Sequence, residues 1–528
     1  MKKILKFIPL LLMPLALSSC TFINNLVNGG GNGGNNQQQT TTTKTFAIDS
    51  EALSMGFGSS AQIGATLKED GKAVDVTVNW TTSNASVASL SKTKTTTKGE
   101  KITVTAGNSE GSAVITAKTS DGKYTKTCNV TVKDVSGTTV MIYMCGADLE
   151  SGYDGYNTNT SQAGYATSDL NEILSVNNQP NDVNIVVQTG GAKAWAKSNI
   201  NANKSQRWEI RNRQMVKKSE TSKVNMGLQS TLQDFVTWGL ENYPAEKYGL
   251  IMWNHGGAMN GCCYDEQFND DSILADELYN AVKNARAAVG MSAKLDWITY
   301  DACLMAVQDV AEYNSYNFNY MLCSQESEAG NGYDYDAWLP TLYNNSSVNG
   351  GELLEVIGHT FMLEEKQLFQ GWGEPFDQTQ SVLDLSKMDA YKSAFESLAS
   401  DLNDIISTNS TKIKALGNAI KSAQKYGVSE DDYGQTIYPF DIFDVESALN
   451  KIKANSNFSS TSSKVTTVLN ALNDLVIYEE HGNATSGSGL CIFCSMTDYT
   501  YPYDYNSKRT KTNFTNWKTV ANKITNAM

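Results

Sequence analysis

Hydrophobic positions change rhythm along this chain. From residue 46 to about 135 they alternate with polar ones in short runs: Val76-Thr-Val78-Asn-Trp80, Lys101-Ile-Thr-Val-Thr105, Ala113-Val-Ile-Thr-Ala117 and Cys128-Asn-Val-Thr-Val132. A period of two marks strands with one face inward, and runs this closely spaced predict a small all-β sandwich. Beyond residue 138 the apolar runs become continuous, as in strands buried on both faces of a parallel sheet. Strands are expected near 139–145, 183–188, 247–253, 296–301, 318–324 and 488–495, with helices between the early ones. Residues 272–290 have helical spacing, with Leu274, Leu278, Val282, Ala285 and Val289 on one face and Gly290 as the stop. Helical runs at 388–402 and 465–478 predict a further helical layer within a long insertion, about 350–480. The fold class is therefore α/β, an open, mostly parallel sheet flanked by helices, behind an N-terminal all-β sandwich. No internal repeat is visible.

Two of the apolar runs stop at reactive side chains. Tyr248-Gly-Leu-Ile-Met-Trp-Asn-His255-Gly-Gly is followed by Ile298-Thr-Tyr-Asp301-Ala-Cys303. A right-handed crossover through helix 272–290 returns the second strand parallel to the first. If the strands are neighbours, His255 and Cys303 then emerge at the same edge. Amide hydrolysis by a thiol needs a nearby imidazole to hold and return the proton, and donors for the tetrahedral oxyanion. Cys303 supplies the thiol and His255 the imidazole, and the N–H groups of Gly256 and Cys303 are the expected oxyanion donors. Taken singly, His255 reads as a turn cap and Cys303 as an inert buried thiol. The pairing at the ends of successive strands is what points to catalysis.

Composition narrows the partners. With 528 residues, 40% of them hydrophobic, the chain holds two or three domains. A formal net charge of −14 without a basic stripe excludes a nucleic-acid partner. Lys2-Lys3 followed by an apolar run over 8–17 reads as an export signal, residues 1–19, too short to span a membrane. Residues 20–45, rich in Gly, Asn, Gln and Thr, read as a flexible tether. Cys262-Cys263 and Cys491-Ile-Phe-Cys494 lack metal-ligand spacing, and with only three histidines in the chain no metal residue is assigned. His359 and His481 read as structural or surface residues, and Asp498-Tyr-Thr-Tyr-Pro-Tyr-Asp-Tyr505 as an aromatic loop or a substrate-facing one.

Asn254-His255-Gly256-Gly257 and Asp301-Ala302-Cys303-Leu304-Met305 resemble the two catalytic motifs of the clostripain family of cysteine peptidases. Val140 to Glu150 resembles that family's first strand and acidic loop, and Ser324-Gln-Glu-Ser-Glu-Ala-Gly330-Asn-Gly332-Tyr the segment after its fifth. Ser381-Val-Leu-Asp-Leu-Ser386 and Gly487-Ser-Gly-Leu-Cys-Ile-Phe-Cys494 are similar to later family segments, so the resemblance spans residues 138–528. It implies a caspase-like fold and an endopeptidase working through a Cys303/His255 dyad and a thioester. It also implies that Asp301 lines the pocket for Arg or Lys before the scissile bond. Family members often carry a second acidic residue where this chain has Asn331; either Asp334 or Asp336 substitutes for it, or the pocket prefers Lys or a polar residue. The family's processing loop corresponds to 258–271, which contains no Lys or Arg. Lys283, Arg286 and Lys294 lie in or after the crossover helix instead. The chemistry requires no cofactor, while Asp265, Glu266, Asp270 and Asp271 offer carboxylates for calcium, which some relatives bind.

Residues 46–135 resemble the bacterial immunoglobulin-like group 2 domain, a spacer by default. Leu17-Ser-Ser-Cys20 resembles the bacterial lipobox. That implies cleavage before Cys20, acylation of that cysteine and attachment to the cell envelope, at the outer membrane or cell surface and outside the cytoplasm. The partners implied are protein or peptide substrates and the membrane. Two other readings share these residues: a surface binding protein whose peptidase fold has lost activity, and a cysteine amidase or transpeptidase.

Overall fold

Seven of nine strands in the central sheet run in one direction, and the chemistry-bearing loops leave it at their carboxyl ends. The computed structural model describes residues 43–133, 135–152, 164–427, 429–430, 436–437, 440–496 and 511–528. The export signal, Cys20, the tether through residue 42 and the aromatic stretch 498–505 lie outside them. In chain order the central strands are β1 (Thr138–Cys145), β2 (Val183–Gly190), β3 (Lys204–Arg211), β4 (Gln214–Ser222), β5 (Lys247–Trp253), β6 (Leu295–Asp301), β7 (Phe318–Cys323), β8 (Thr379–Asp384) and β9 (Val476–His481). Their spatial order is β4-β3-β2-β1-β5-β6-β7-β8-β9.

Continuous apolar runs form the middle of this sheet because both of its faces are covered. Along β1 every residue is buried. Met141 and Tyr143 face one helical layer with Leu232, Phe235 and Val236 of helix Gln229–Asn242, while Val140, Ile142 and Met144 face another with Leu170 and Ile173 of helix Tyr165–Ser175. The crossover helix Ala275–Ala288 buries Leu278, Ala281, Val282 and Ala285, close to the predicted face. The Glu277 carboxylate accepts the Leu274 N–H at 2.9 Å where that helix begins. Gly290, at φ +71°, turns the chain out of it.

Three expectations are corrected. The segment 350–480 is not purely helical, because β8 and β9 extend the central sheet from within it. Helix Ser462–Leu475 ends before Val476-Ile-Tyr, where side chains that crowd a helix suit an edge strand instead. The strand expected at 488–495 is the short Cys491–Phe493, which pairs with Ile442–Asp444 outside the main sheet. The β3–β4 hairpin was not anticipated. Gln214–Ser222 exposes Lys217, Lys218 and Glu220, and a charged edge strand carries no apolar rhythm to read.

Upstream, two five-stranded sheets enclose a core that includes Ile63, Trp80, Val104, Ile115 and Val130. Strands Thr77–Thr82, Lys101–Ala106, Gly111–Thr119 and Thr125–Lys133 include the four predicted runs almost entirely. The Trp80 indole N–H donates to Thr95 Oγ1 at 2.8 Å, satisfying the one polar group this side chain takes into the core. Lys44–Met528 forms one unit. Within it the sandwich meets the end of the crossover helix: Ala61 bridges Met291, and the Ser50 hydroxyl reaches the Ala288 carbonyl at 3.4 Å.

Candidate active site

β5 and β6 are adjacent, parallel and in register, with Trp253 opposite Asp301. His255 and Cys303 each lie two residues beyond that pair, so the sheet itself brings them to one edge. β1 borders β5 on its other side, with Met144 opposite Trp253. Its continuation carries Asp148, whose Oδ1 lies 2.9 Å from His255 Nε2. Burial pushes the Asp148 carboxyl up, yet the hydrogen bond and charge of His255 outweigh it and hold the group below its usual range. An ionised carboxylate only accepts, so Nε2 carries the proton and Nδ1 is the imidazole's free base. Asp148 was quoted in the family's acidic loop but not identified as a site residue. Asn254 fastens these ends together, its amide donating to the Cys145 carbonyl and its oxygen accepting from the Tyr264 N–H, both at 2.7 Å.

Backbone contact between the two motifs is closest at Gly256. A Cβ there would lie 2.0 Å from the Cys303 carbonyl oxygen, so any side chain would push the two loops apart. The N–H groups of Gly256 and of Cys303 itself face the Cys303 sulfur. The Glu328 N–H, after β7, also reaches that sulfur, at 3.2 Å. Leu304, next after the thiol, holds φ +65°, a conformation a branched side chain takes only when its surroundings impose it. Here the Leu304 N–H donates to the Glu326 carbonyl, and Ala306 is tied to Ser324 and Cys491. The misplaced strand Cys491–Phe493 thus braces the loop of Cys303. Burial, and then the Glu328 carboxylate, push the Cys303 thiol up to about 11, so at neutral pH it is a thiol awaiting a base.

Beside this edge lies a cluster of buried carboxylates. Asp301 is 5% exposed; its Oδ2 accepts the Tyr335 hydroxyl at 2.9 Å and the Tyr333 N–H at 3.4 Å. Burial raises its carboxyl to about 7. Asp169, fully buried, accepts the Trp253 indole N–H on Oδ2 at 2.6 Å. Burial and then the charge of Asp301 push Asp169 well above the carboxylate range. Glu172 and Glu365, also raised to about 7 by burial first, stand nearby. Among the described residues none of these four carboxylates is paired with Lys or Arg. Asn331 donates to Glu364 at 3.3 Å. Asp334 is spent as a helix cap, accepting the Ala337 N–H, and Asp336 lies in the first turn of the helix that Asp334 caps.

The loop 258–271 is folded inward, with Met259, Cys262 and Cys263 buried, and three of its four carboxylates already have partners, while Asp270 is exposed. Asp265 accepts the N–H groups of Met226 and Gln267, Glu266 binds Lys193, and Asp271 accepts the Asn225 amide. Among the described residues no three His, Cys, Asp or Glu side chains converge as metal ligands. Arg286 is fixed by Ala293, Ser292 and Asn317, whereas Lys283 and Lys294 are exposed. His359 and His481 pair with Glu480 and Glu479 on the surface.

Known proteins resemble this chain over its α/β part. The family model described as Peptidase_C11, clostripain family, matches residues 154–519. Clostripain from Hathewaya histolytica is 28% identical over 349 residues, which is 59% of this chain. The match spans 65% of that relative's length. A secreted C11 cysteine protease from Bacteroides thetaiotaomicron, solved with an irreversible peptide inhibitor, superposes with a TM-score of 0.50 at 16% identity, covering 73% of this chain and 99% of that one. An inactive zymogen C11 protease from Parabacteroides distasonis gives 0.48 at 16% identity, over 68% and 92%.

Proposed function

From the premise that the chain belongs to the clostripain family, we propose that it is a cysteine endopeptidase that cuts after Arg or Lys. The observation that carries this reading is the contact of Gly256 with Cys303 at the ends of two in-register strands, with His255, the residue before that glycine, held by Asp148. His255 takes the Cys303 proton as sulfur attacks the scissile carbonyl. The N–H groups of Gly256 and Cys303 receive the oxyanion, each worth about 2.7 to 4 kcal/mol in the transition state. Imidazolium returns its proton to the leaving amine, and water then hydrolyses the thioester by the reverse transfers. A thiol near 11 suits this order, in which ionisation accompanies attack rather than preceding it. Asp148 positions the imidazole and balances the imidazolium.

Asp301, buried and without a cationic partner among the described residues, supports the preference for a basic side chain, because an uncharged residue would leave it unpaired. Residues 1–19 and Cys20 support export and lipid attachment at the bacterial cell envelope, outside the cytoplasm, with an immunoglobulin-like spacer over 46–135. Among the described residues no helix is long and apolar enough to cross a membrane.

The test is cleavage of peptides differing only in the residue before the scissile bond, by protein lacking residues 1–20, with Cys303→Ala as control. Cleavage after Arg or Lys that vanishes in the control is expected. Cleavage after uncharged residues would remove the basic-pocket assignment alone. Hydrolysis that survives Cys303→Ala would remove the dyad.

A further inference from the structure

Three aromatic side chains gather at the active edge where no motif marks them. On helix Gly350–Trp372, the residues Phe361, Glu365, Phe369 and Trp372 follow at helical spacing and share one face. That face runs past the site. Phe361 packs edge to face against Tyr333, ring centres 5.8 Å apart, and the Tyr333 N–H donates to Asp301. One turn on, Glu364 and Glu365 meet the Asn331 amide. Phe369 and Trp372 lie about 6 and 10 Å beyond Glu365 along the helix axis. The helix then stops at Gly373, φ +77°, where the N–H groups of Gly373 and Glu374 return to the carbonyls of Gln370 and Phe369. This reversal folds Phe376 back on Phe369, ring centres 5.9 Å apart, and Trp372 meets the same Phe369 ring at 5.5 Å.

A second connection ties the cluster to the thiol. Three residues after Phe376, Thr379 Oγ1 accepts the N–H groups of Gln325 and Glu326 at 2.9 and 3.0 Å, and Glu328 of the same segment reaches the Cys303 sulfur with its own N–H. Phe376 is therefore within about 10 Å of Thr379, and a peptide held at Cys303, advancing about 3.3 Å per residue, reaches the rings. Trp372 is 60% exposed, the most exposed large hydrophobic side chain among the described residues.

We propose that Phe369, Trp372 and Phe376 form a subsite for a large apolar side chain of the substrate, within about five residues before the scissile bond. This rests on the peptidase reading above and adds a second substrate determinant to it. The side of the bond follows from Asp301. The helix that carries the aromatics also flanks residues 331–333, which contact Asp301, so the rings stand with the residue before the bond rather than with the leaving amine. The chemistry follows from the rings, which offer apolar faces that an aliphatic or aromatic side chain can cover.

The experiment uses protein lacking residues 1–20 and peptides that share the residue the enzyme cuts after. They differ at one of the four preceding positions, which carries Phe, Leu, Ser or Lys. At one position Phe and Leu are expected to exceed Ser by about tenfold in kcat/KM, the worth of burying most of such a side chain. Trp372→Ala is expected to bring that ratio to within about twofold, chiefly through KM. Phe369→Ala should narrow it in the same way; if that variant fails to fold, Trp372→Ala, which removes an exposed side chain, decides alone. An unchanged ratio in Trp372→Ala, or no position that favours apolar residues, would overturn the subsite and leave the peptidase standing. A preference for Lys that Trp372→Ala abolishes would mean cation–π contact and overturn the apolar assignment. Binding to phosphatidylglycerol vesicles that Trp372→Ala abolishes, with the peptide ratio unchanged, would assign the rings to a membrane surface instead. Absence of any hydrolysis that depends on Cys303 would remove the peptidase reading, and the subsite with it.

Discussion

At the scale of single residues, legibility followed position in the hydrophobic pattern. His255 and Cys303 were readable because each ends an apolar run, where a reactive side chain has few structural reasons to be. Asp301 was readable only through the family resemblance of the motif that carries the thiol. Asp169 was not, although its signal is present: Ala166, Asp169, Leu170 and Ile173 form the buried stripe of their helix, and an aspartate there breaks the stripe. Asp148 and the Glu328 N–H escaped because their roles depend on which loops meet, which no spacing encodes. The thiol offers a direct check on the proposed order of proton transfer. A thiol near 11 is almost wholly protonated at pH 7, and the thiolate fraction then grows tenfold per unit of pH. Alkylation of Cys303 by a small neutral reagent is therefore expected to accelerate about tenfold per pH unit from 7 to 10 without levelling. A plateau reached below pH 8 would mean a preformed thiolate and a different sequence of steps.

Among elements, those buried on both faces were the legible ones. β1, β2, β5, β6 and β7 all fall within two residues of their expected places, because a two-sided burial demands uninterrupted apolar sequence. The strands beyond them were obscured: β3 and β4 by polar edge residues, and β9 by a helix whose apolar spacing runs into it. The crossover helix matters most to the site, since it returns the chain from β5 to β6 and so sets the registration of His255 with Cys303. Its Leu278 is 2% exposed and packs in the layer shared with Leu250 and Ile298. Leu278→Ala is expected to destabilise the fold by about 2 to 5 kcal/mol through a cavity the neighbours fill only in part. Denaturant unfolding should show that loss, with kcat/KM nearly unchanged at temperatures where the variant remains folded. An unchanged midpoint would mean that this helix packs more loosely than its burial indicates.

On the scale of the whole molecule, the direction of β6 separates two ends. Asp301 closes the strand at the edge that carries Cys303, whereas Leu295 opens it at the other, six residues and about 20 Å away. Just before Leu295 the chain meets the sandwich, where Gly290 faces Leu53 and Met291 bridges Ala61. The sandwich thus abuts the end of the sheet opposite its chemistry. Gly290 is the tightest point of this junction. A Cβ there would lie 2.2 Å from Leu53 Cδ2, and φ +71° strains any residue with a side chain. Gly290→Ala must therefore push the sandwich back or distort the helix end. Faster limited proteolysis between residues 133 and 138 is expected, with peptide hydrolysis within about twofold of wild type because the strand ends that hold His255 and Cys303 are untouched. Equal losses of both would show that the junction and the active edge behave as one cooperative body, so that the sandwich acts as part of the peptidase's own support rather than as a spacer.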